Sequence, residues 1–513
     1  MKLDKAKNAK RNVVFGAGLK IYQIFLPFLF RSIIVNTLGV EYLGLNSLFT
    51  SVLQVLNLAE LGVGSAMVFS MYRPIAENDD AKICALMHLY KIYYRIIGAV
   101  ILVLGLLLTP FIPKLINGSV PSDINVYVLY IMNLLATVLS YWLLAYRNSV
   151  LQAHQRLDVR SKLTIITDTI KYLLQLVALY LCTNYYLYVL AILFTQILNN
   201  LLTAVVAKQM YPNYNPTGSL SKDETQTINH RIKDLFTSKL GGVIVNSTDT
   251  LVISAFIGLE VLAIYQNYFY IVNAIMGFIA ILNNSVLAGI GNSMIVRSKE
   301  ENYKEFRLFV FGEAWIFAFC ACCFSTMFQP FMTIWMGDNL LLDYPIVILL
   351  CAYFIGYEYV MLLSVYKDAG GIWHEDRFRP LISGIINLAS NLILVHFIGL
   401  YGVVISTIIS VYGISAPWIT KNVYNLIFKD EDISDFISAI IKYVCVLAIA
   451  MLCVNLICNM IKDDNILTLM FKLVATTIVF NIIFVSAYIK NPKLKVMYEM
   501  ISNQILLIRR KNI

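Results

Sequence analysis

Two cationic residues, Lys20 and Arg31, lie inside a run of the sequence, residues 16–35, that is otherwise apolar enough to cross a membrane. A charged side chain at the centre of a bilayer costs about 2.5–3.5 kcal/mol, so such residues usually face a cavity that holds water or a ligand. Lysine and arginine bind phosphate oxygens through charge-assisted hydrogen bonds. The two residues therefore predict an anion-binding site. The alternative is that both side chains extend to the lipid headgroups.

The spacing of the two cations places them on one side of a helix. Lys20 lies nine residues after Arg11, which is about 13 Å along an α-helix and well inside a bilayer. Arg31 follows eleven residues later, three turns plus about 20°, so it falls on the same stripe of the helix. Pro27 lies between them and removes one backbone hydrogen bond, which predicts a hinge that would suit a gate.

The composition of the whole chain is that of a membrane protein. Of its 513 residues, 59% are hydrophobic and 14% are charged, and the mean hydropathy is +0.71. Soluble proteins carry about 25% charged residues. Apolar runs long enough to cross about 30 Å of hydrocarbon recur from end to end. We therefore predict an all-α polytopic membrane protein. An anionic inner leaflet, rather than a nucleic acid, explains the net charge of +9.

Fourteen apolar runs are separated by polar breaks, and the longest break, 208–231, contains two prolines and mixed charges. It predicts a cytoplasmic linker between an N-terminal six-helix lobe (1–207) and a C-terminal six-helix lobe (232–421). Two additional transmembrane helices and a basic cytoplasmic tail follow in 422–513. The runs lie near 13–36, 46–71, 84–109, 124–146, 163–182, 185–207, 234–257, 261–290, 308–328, 344–366, 380–398, 401–420, 437–460 and 466–489.

The positions of lysine and arginine set the predicted topology, because cytoplasmic loops of membrane proteins collect these residues. With both termini in the cytoplasm, most of the 40 Lys and Arg residues are cytoplasmic, and only Lys114 and Lys462 fall in outer loops. The basic start of the chain, residues 1–16, has no small-residue cleavage site after its apolar run, so we interpret it as a retained tail. The cations left inside the spans are Lys20, Arg31, Arg95, Lys171, Lys239 and Lys472.

The two predicted lobes share a short motif. Residues 37–45, "TLGVEYLGL", and residues 256–264, "FIGLEVLAI", both contain G-x-E-x-L between two predicted helices. The spacing that relates Gly39 to Gly258 also relates Lys20 to Lys239. Six helices in each half give the halves the same orientation, which predicts a parallel repeat about an axis along the membrane normal. Lys239 is then expected to join Lys20 and Arg31 in a cationic lining.

Residues 38–67, "LGVEYLGLNSLFTSVLQVLNLAELGVGSAM", resemble the polysaccharide repeat-unit flippases. These are the O-antigen and capsule exporters of the multidrug/oligosaccharidyl-lipid/polysaccharide superfamily. The resemblance rests on the G-x-E-Y-x-G turn, on Glu60 before Gly62 and Gly64, and on the six-plus-six halves. The fourteen runs are also similar in number to the helices of lipid II flippases, whereas many repeat-unit flippases have twelve.

The resemblance implies a flippase in the bacterial cytoplasmic membrane. It would move undecaprenyl-pyrophosphate-linked oligosaccharide from the inner to the outer leaflet by alternating access. Its partners would be this lipid-linked oligosaccharide, membrane lipids, and the polymerase and glycosyltransferases of polysaccharide synthesis. The diphosphate of the cargo would supply the anion that Lys20, Arg31 and Lys239 bind.

Acidic residues inside the spans are candidates for coupling to H⁺ or Na⁺. Asp249, within "NSTDT", and Glu60 are the two we select, although Asp249 could instead pair with a basic residue. Asp168 and Lys171 are three residues apart and predict a helical ion pair. The nine cysteines lie almost entirely in apolar runs without ligand spacing, so we expect no metal and no cofactor.

Other functions stay open at this point. A lipid II-type flippase shares the same anionic linkage. A drug/cation antiporter of the same superfamily would place acids on the first and seventh helices, and Asp249 and Glu60 keep it in consideration. A membrane polysaccharide polymerase generally needs a large outer loop with catalytic residues, and the longest outer loops here, 110–125 and 329–345, are short. We therefore expect no enzymatic activity. A passive scaffold would not need buried cations.

Overall fold

The computed structural model describes residues 5–118, 120–461, 465–499 and 502, which form helices joined by short loops and turns. The first four residues and the end of the predicted basic tail, 503–513, lie outside the described residues, as does Lys462. The α-helices are, in chain order, α1 Lys5–Thr37, α2 Val40–Leu56, α3 Val63–Glu77, α4 Asp80–Leu108, α5 Val126–Trp142, α6 Asn148–Ala153, α7 Leu157–Tyr180, α8 Tyr185–Met210, α9 Lys222–Phe256, α10 Leu259–Val296, α11 Lys299–Met336, α12 Tyr344–Ala369, α13 Arg379–Ser410, α14 Ala416–Leu426, α15 Ile433–Cys458 and α16 Ile466–Tyr488.

Length and composition of the helices confirm the predicted all-α membrane class. Among the residues described, ten helices are long and apolar enough to cross a membrane, and two bent helix pairs pass the same test together. One pair is Val40–Glu60 with Val63–Glu77, bent by 42°, and the other is Val126–Trp142 with Ala145–Ala153, bent by 51°. The second and fourth predicted helices, which the sequence presented as continuous, are therefore broken.

The predicted number of fourteen spans is not confirmed and stays a prediction. α9, which contains the seventh predicted helix, carries eight charged residues and is more polar than the other long helices. The eleventh and twelfth predicted helices lie in one helical stretch, Arg379–Leu426. This stretch is kinked at Ile398 and Gly399, which have non-helical backbone angles. The kink coincides with the break predicted between 380–398 and 401–420, although the helical stretch continues on both sides of it.

Contacts divide the chain into two compact units. The first consists of residues 1–263 and 391–400. In it, α7 packs against α1 and α8, and α9 packs against α2 and α3. α9 thus belongs by its contacts to the first unit, although the sequence analysis assigned it to the C-terminal lobe. The predicted lobes themselves stay a prediction.

The second unit consists of residues 264–390 and 401–513. α11 lies at its centre and packs against α12, α15 and α16. Polar pairs join the last two helices to α11. Trp315 Nε1 donates to Asn481 Oδ1 at 3.1 Å, and Asn455 Nδ2 donates to Ser325 Oγ at 3.1 Å. Hydrogen bonds of this kind between helices in hydrocarbon contribute about 0.6–2 kcal/mol each.

The repeated G-x-E-x-L motif forms the same turn in both places. Gly39 and Gly258 have φ angles of 124° and 137° and directly precede α2 and α10. The N–H groups of Leu38 and Gly39 both donate to the carbonyl of Ile34. The N–H groups of Ile257 and Gly258 both donate to the carbonyl of Ile253, which the same spacing relates to Ile34. The repeat is confirmed at this turn.

Replacing the turn glycine should destabilise the protein. Gly39 has φ 124° and ψ 166°, a region that only glycine adopts readily, so Gly39→Ala should cost about 1–3 kcal/mol. We expect a lower midpoint of thermal unfolding for the purified protein in detergent, measured by differential scanning fluorimetry. Gly16→Ala is the matched control, because Gly16 is helical and has open space around it. An equal midpoint for the two variants would contradict the strained-turn interpretation.

Candidate functional site

The first helix presents two different exposed stripes. Val14, Ile21, Phe25 and Leu29 form an apolar one. The other stripe contains Lys20, which is exposed together with Gln23 one turn later. Because successive residues of an α-helix are rotated by 100°, the stripe of Lys20 and Arg31 lies about 130° around α1 from the apolar stripe.

A third side of α1 packs against α7, where the Tyr22 hydroxyl lies 2.7 Å from Thr169 Oγ1. The Phe30 and Tyr172 rings are 4.5 Å apart on the same side. Lys20 is therefore accessible on a side of α1 that is neither the apolar stripe nor the packing face.

Arg31 has a different environment from Lys20. Its side chain is half-buried, and it interacts electrostatically with Tyr188 of α8, which is itself buried. Pro27 lies between the two cations inside α1, which continues through it as a helix from Lys5 to Thr37. The predicted role of Pro27 as a hinge or gate stays a prediction.

Lys239 lies against the beginning of α3. Its Nζ donates to Ser65 Oγ at 3.2 Å, and its charge interacts with the carboxylate of Glu60. Lys239, which the repeat relates to Lys20, thus has a polar contact with α3 of the first unit. The sequence analysis did not anticipate this contact, because Ser65 and Lys239 are 174 residues apart.

Glu60 sits at the break between α2 and α3. It ends a short 3₁₀ turn, Asn57–Glu60, and is followed by Gly62 in the left-handed conformation, with φ 90°. The carboxylate then accepts a hydrogen bond from the Gly64 N–H at 3.3 Å, in the first turn of α3. An acid in this position stabilises the positive end of a helix dipole.

Gly62 also allows α9 to approach the break. A Cβ atom added to Gly62 would lie 2.7 Å from the Cβ of Leu235 and 3.1 Å from the carbonyl oxygen of Ile232. Any larger residue at this position would therefore push α9 away from α3. The close approach brings Lys239, one turn after Leu235, to Ser65 and Glu60.

Tyrosines enclose the other side of Glu60. The Tyr94 hydroxyl lies 3.5 Å from Glu60 Oε1 and accepts a hydrogen bond from the Tyr90 hydroxyl at 2.5 Å. Tyr141 packs edge-on against Tyr94 and donates to Asn57 Oδ1 at 3.1 Å. These side chains form a polar network inside a predicted span. We call it the Glu60 cluster, and it consists of Glu60, Tyr90, Tyr94 and Lys239.

A second cation of α9 contacts α3 two turns before Lys239. The guanidinium of Arg231 lies 4.7 Å from the Phe69 ring, and its Nη1 is 3.4 Å from Ser70 Oγ. Arg231 and Lys239 together attach the charged half of α9 to α3.

Asp249 is buried in the apolar half of α9, where it is 8% exposed. Its Oδ1 accepts a hydrogen bond from Nδ2 of Asn391 at 2.8 Å. Ser247 and Thr248 beside it are also buried. The sequence offered an ion site or a basic partner for Asp249, and this contact supplies an amide donor.

Two further expectations from the sequence have clear outcomes. Lys171 Nζ donates to Asp168 Oδ1 at 2.8 Å, so the predicted helical ion pair is confirmed. Residues 265–270, "YQNYFY", combine aromatic and amide side chains, a composition that suits sugar binding or an interfacial aromatic belt. Instead, Tyr265, Asn267 and Tyr268 are buried, and the Tyr268 hydroxyl donates to Gln329 Oε1 at 2.5 Å.

Comparison with known proteins supplies the family. Residues 9–288 match the model of a polysaccharide biosynthesis protein family. Among curated protein sequences, none matches the chain significantly.

Similar solved structures are flippases and transporters. A structure of the lipid II flippase MurJ in an inward closed conformation has a TM-score of 0.66 and 15% identity, and covers 93% of this chain and 99% of MurJ. An inward-facing multidrug resistance MATE family transporter of the MOP superfamily has a TM-score of 0.62 and 16% identity, over 78% of this chain and 94% of the transporter. An outward-facing MATE structure has a TM-score of 0.53 and 15% identity, over 82% and 96%. These likenesses establish the fold.

The electrostatic interaction between Lys239 and Glu60 predicts a measurable coupling. Lys239→Met removes the cation near the half-buried Glu60 carboxylate. Adding Glu60→Gln to the same chain removes the negative charge that Lys239 stabilises. A double-mutant cycle on thermal stability should give a coupling free energy of about 0.5–1 kcal/mol. Lys222→Met, at an exposed lysine of the same helix, is the control and should change stability little. Additive effects of the two substitutions would contradict the pairing.

Proposed function

Because the chain belongs to the polysaccharide biosynthesis protein family, we propose that it is a flippase for undecaprenyl-pyrophosphate-linked oligosaccharide repeat units, as in O-antigen or capsule synthesis. It moves them from the inner to the outer leaflet of the bacterial cytoplasmic membrane by alternating access, with both of its termini in the cytoplasm. Its partners are the lipid-linked oligosaccharide, membrane lipids, and the polymerase and glycosyltransferases that act on the same polysaccharide.

The observation that carries this proposal is the environment of Lys20. Its ammonium group is exposed on a stripe of α1 that is separate from the apolar stripe, and none of the described side chains pairs with it. A cation in this position compensates for the water that a diphosphate loses when it leaves the membrane surface. Lys20, Arg31 and Lys239 are the residues to which we assign binding of the diphosphate.

The spacing of the cations suggests how the cargo moves. Lys20 and Arg31 lie about 16 Å apart along α1, much farther than the length of a diphosphate. The anion therefore contacts one and then the other, so that the stripe works as successive binding positions at different depths of the membrane. Pro27, between them, is the position where α1 would bend as the protein changes conformation.

An apolar cavity in the second unit supports a place for the lipid tail. This cavity of about 60 Å³ lies between α11, α12 and α15 and is lined by Val310, Phe317, Ile355, Leu362 and Leu447, among others. Hydrocarbon is stabilised in such a cavity by the same burial of apolar surface that stabilises a protein core. We assign α15, which lines this cavity, a role in forming the groove that holds the polyprenyl chain, with α16 packed behind it on α15 and α11.

Asp249 and Glu60 are our candidates for ion coupling. Asp249 has the stronger support, because it is a buried carboxylate among amide and hydroxyl groups that can share a Na⁺ ion or a proton. Glu60 already has the Gly64 N–H and the Lys239 charge as partners, so a coupling ion would compete with Lys239 for its carboxylate.

The alternatives differ in their support. A lipid II-type flippase agrees with the similarity to MurJ, which extends over 93% of the chain, and its cargo would offer Lys20 the same diphosphate. A drug/cation antiporter has less support, because a cation on the first helix repels cationic drugs. A membrane polymerase has none from the family or from the fold.

Lipid retention tests the role of Lys20. Lys20→Ala removes one charge-assisted hydrogen bond, about 1.5–3 kcal/mol, so copurifying diphosphate-linked glycolipid should fall about tenfold or more. The measurement is mass spectrometry of lipids extracted from protein purified at equal yield. Lys20→Arg should retain most of the glycolipid, and Lys208→Ala, at an exposed lysine of α8, should retain all of it. Equal retention by Lys20→Ala and the unaltered protein would overturn the assignment.

Ion dependence of stability tests Asp249. An ion that binds only the folded state stabilises it by a free energy that rises with the logarithm of the ion concentration once this exceeds the dissociation constant. We therefore expect thermal stability to rise with NaCl at constant ionic strength, or with falling pH if the ion is a proton. Asp249→Asn should abolish that dependence. Asp223→Asn, at an exposed position of the same helix, should preserve it, and an unchanged response in Asp249→Asn would exclude this residue.

A further inference from the structure

Two glutamates on neighbouring helices of the second unit are buried without partners. Glu313 on α11 is 5% exposed and Glu358 on α12 is 1% exposed. Glu313 Oε2 and Glu358 Oε1 are fully buried and make no hydrogen bond. The two carboxyl groups lie within electrostatic range of each other. Within the described part of the chain, no lysine or arginine forms an ion pair with either of them.

Buried carboxyl groups in this arrangement cannot both be ionised. An isolated carboxylate in a medium of low dielectric constant costs several kcal/mol even after relaxation, and it takes up a proton instead. A second negative charge nearby adds to this cost. When two such groups interact, protonation of one lowers the cost of ionising the other, so their titrations are coupled.

A polar cavity gives one of the glutamates access to water. The cavity, about 280 Å³ in volume, lies between α10 and α12, and Glu358 forms part of its wall. Its other polar lining residues are Asn273, Asn283, Asn284, Tyr357, Ser364 and Asp368. Asn283 is 5% exposed, and neither its Nδ2 nor its Oδ1 makes a hydrogen bond. A cavity of this size has room for several water molecules, which would satisfy the polar atoms in its otherwise largely apolar wall.

The remaining ionisable groups around the pair add no positive charge. Cys320 on α11 and Tyr357 on α12 are in electrostatic range of Glu358. The part of α10 that lines the cavity contributes amide, methionine, glycine, alanine and leucine side chains. Asp368, at the end of α12, is paired with Lys367 at 2.9 Å and with Trp373 Nε1 at 3.1 Å.

From this geometry we propose that Glu313 and Glu358 form a proton-binding site that is filled and emptied through the cavity beside Asn283. A proton from water binds the carboxylate of Glu358, which removes a negative charge from the surroundings of Glu313, and its release returns it to the cavity water. Met276, Leu287, Met361 and Val365 also line the cavity. This lining favours a neutral carboxyl group over a sodium ion, which needs a continuous cage of oxygen ligands. Only the use of this proton in transport rests on the proposed flippase function.

Infrared difference spectroscopy of the purified full-length protein tests the site. As the pH is raised from 5 to 9, the unaltered protein should keep a protonated-carboxyl C=O band after exposed acids have ionised, which they do near pH 4. Glu358→Gln and Glu313→Gln should each remove part of this band, and the part that remains should titrate over a different pH range because the two groups are coupled. Glu375→Gln, at an exposed acid of the same unit, should leave the band unchanged.

Two further arms identify the ligand and the route. In D₂O the band of the unaltered protein should shift promptly, and Asn283→Leu, which fills the cavity, should slow that shift. If the unaltered protein shows no such band, or a band that does not shift in D₂O, the proposal is overturned. Neither outcome depends on whether a variant folds. Loss of the band on adding NaCl at constant pH would assign the site to Na⁺ instead. Lipid retention by Lys20 is independent of all these outcomes, so failure of this site is distinguishable from failure of the flippase assignment.

Discussion

The free-energy cost of placing a charge or an unpaired polar group in hydrocarbon is the constraint on which this structure depends. Each acid in a span must have a counter-charge, a hydrogen-bond donor or a proton. Asp168 has Lys171, Asp249 has the Asn391 amide, and Glu60 has the Gly64 N–H. Lys20 and the Glu313–Glu358 pair lack such a partner among the described residues, and we propose that a ligand or a proton completes these sites.

The break between α2 and α3 shows how a backbone feature positions charge. A left-handed residue at Gly62 ends one helix and begins another, so free N–H groups of the second helix face Glu60. The absence of a side chain at Gly62 lets α9 approach, and the approach brings Lys239 to Ser65. One small residue thus determines where an acid and a lysine of distant segments meet.

The two compact units carry different chemistry. The first contains the cations that we assign to an anionic cargo, together with the buried Asp249. The second contains the Glu313–Glu358 pair, a polar cavity, and an apolar cavity between α11, α12 and α15. The proposed binding site for the diphosphate and the proposed Glu313–Glu358 site are therefore on different sets of helices.

The sequence by itself determined the properties that depend on neighbouring residues. The all-α membrane class follows from hydropathy, the Asp168–Lys171 pair from spacing on one helix, and the repeated turn from glycines that precede α2 and α10. Family membership followed from the motif at residues 38–67. These predictions are confirmed because the interactions involved are local.

Only the tertiary structure decided which helix faces meet. It broke the second predicted helix at Gly62, placed Lys239 beside Ser65 and Glu60, and buried Tyr268 in a polar pair. The Asp249–Asn391 hydrogen bond joins residues 142 positions apart. Such contacts depend on the rotation and depth of helices that are distant in the chain. A periodic pattern specifies the apolar side of each helix but not the partner that this side contacts.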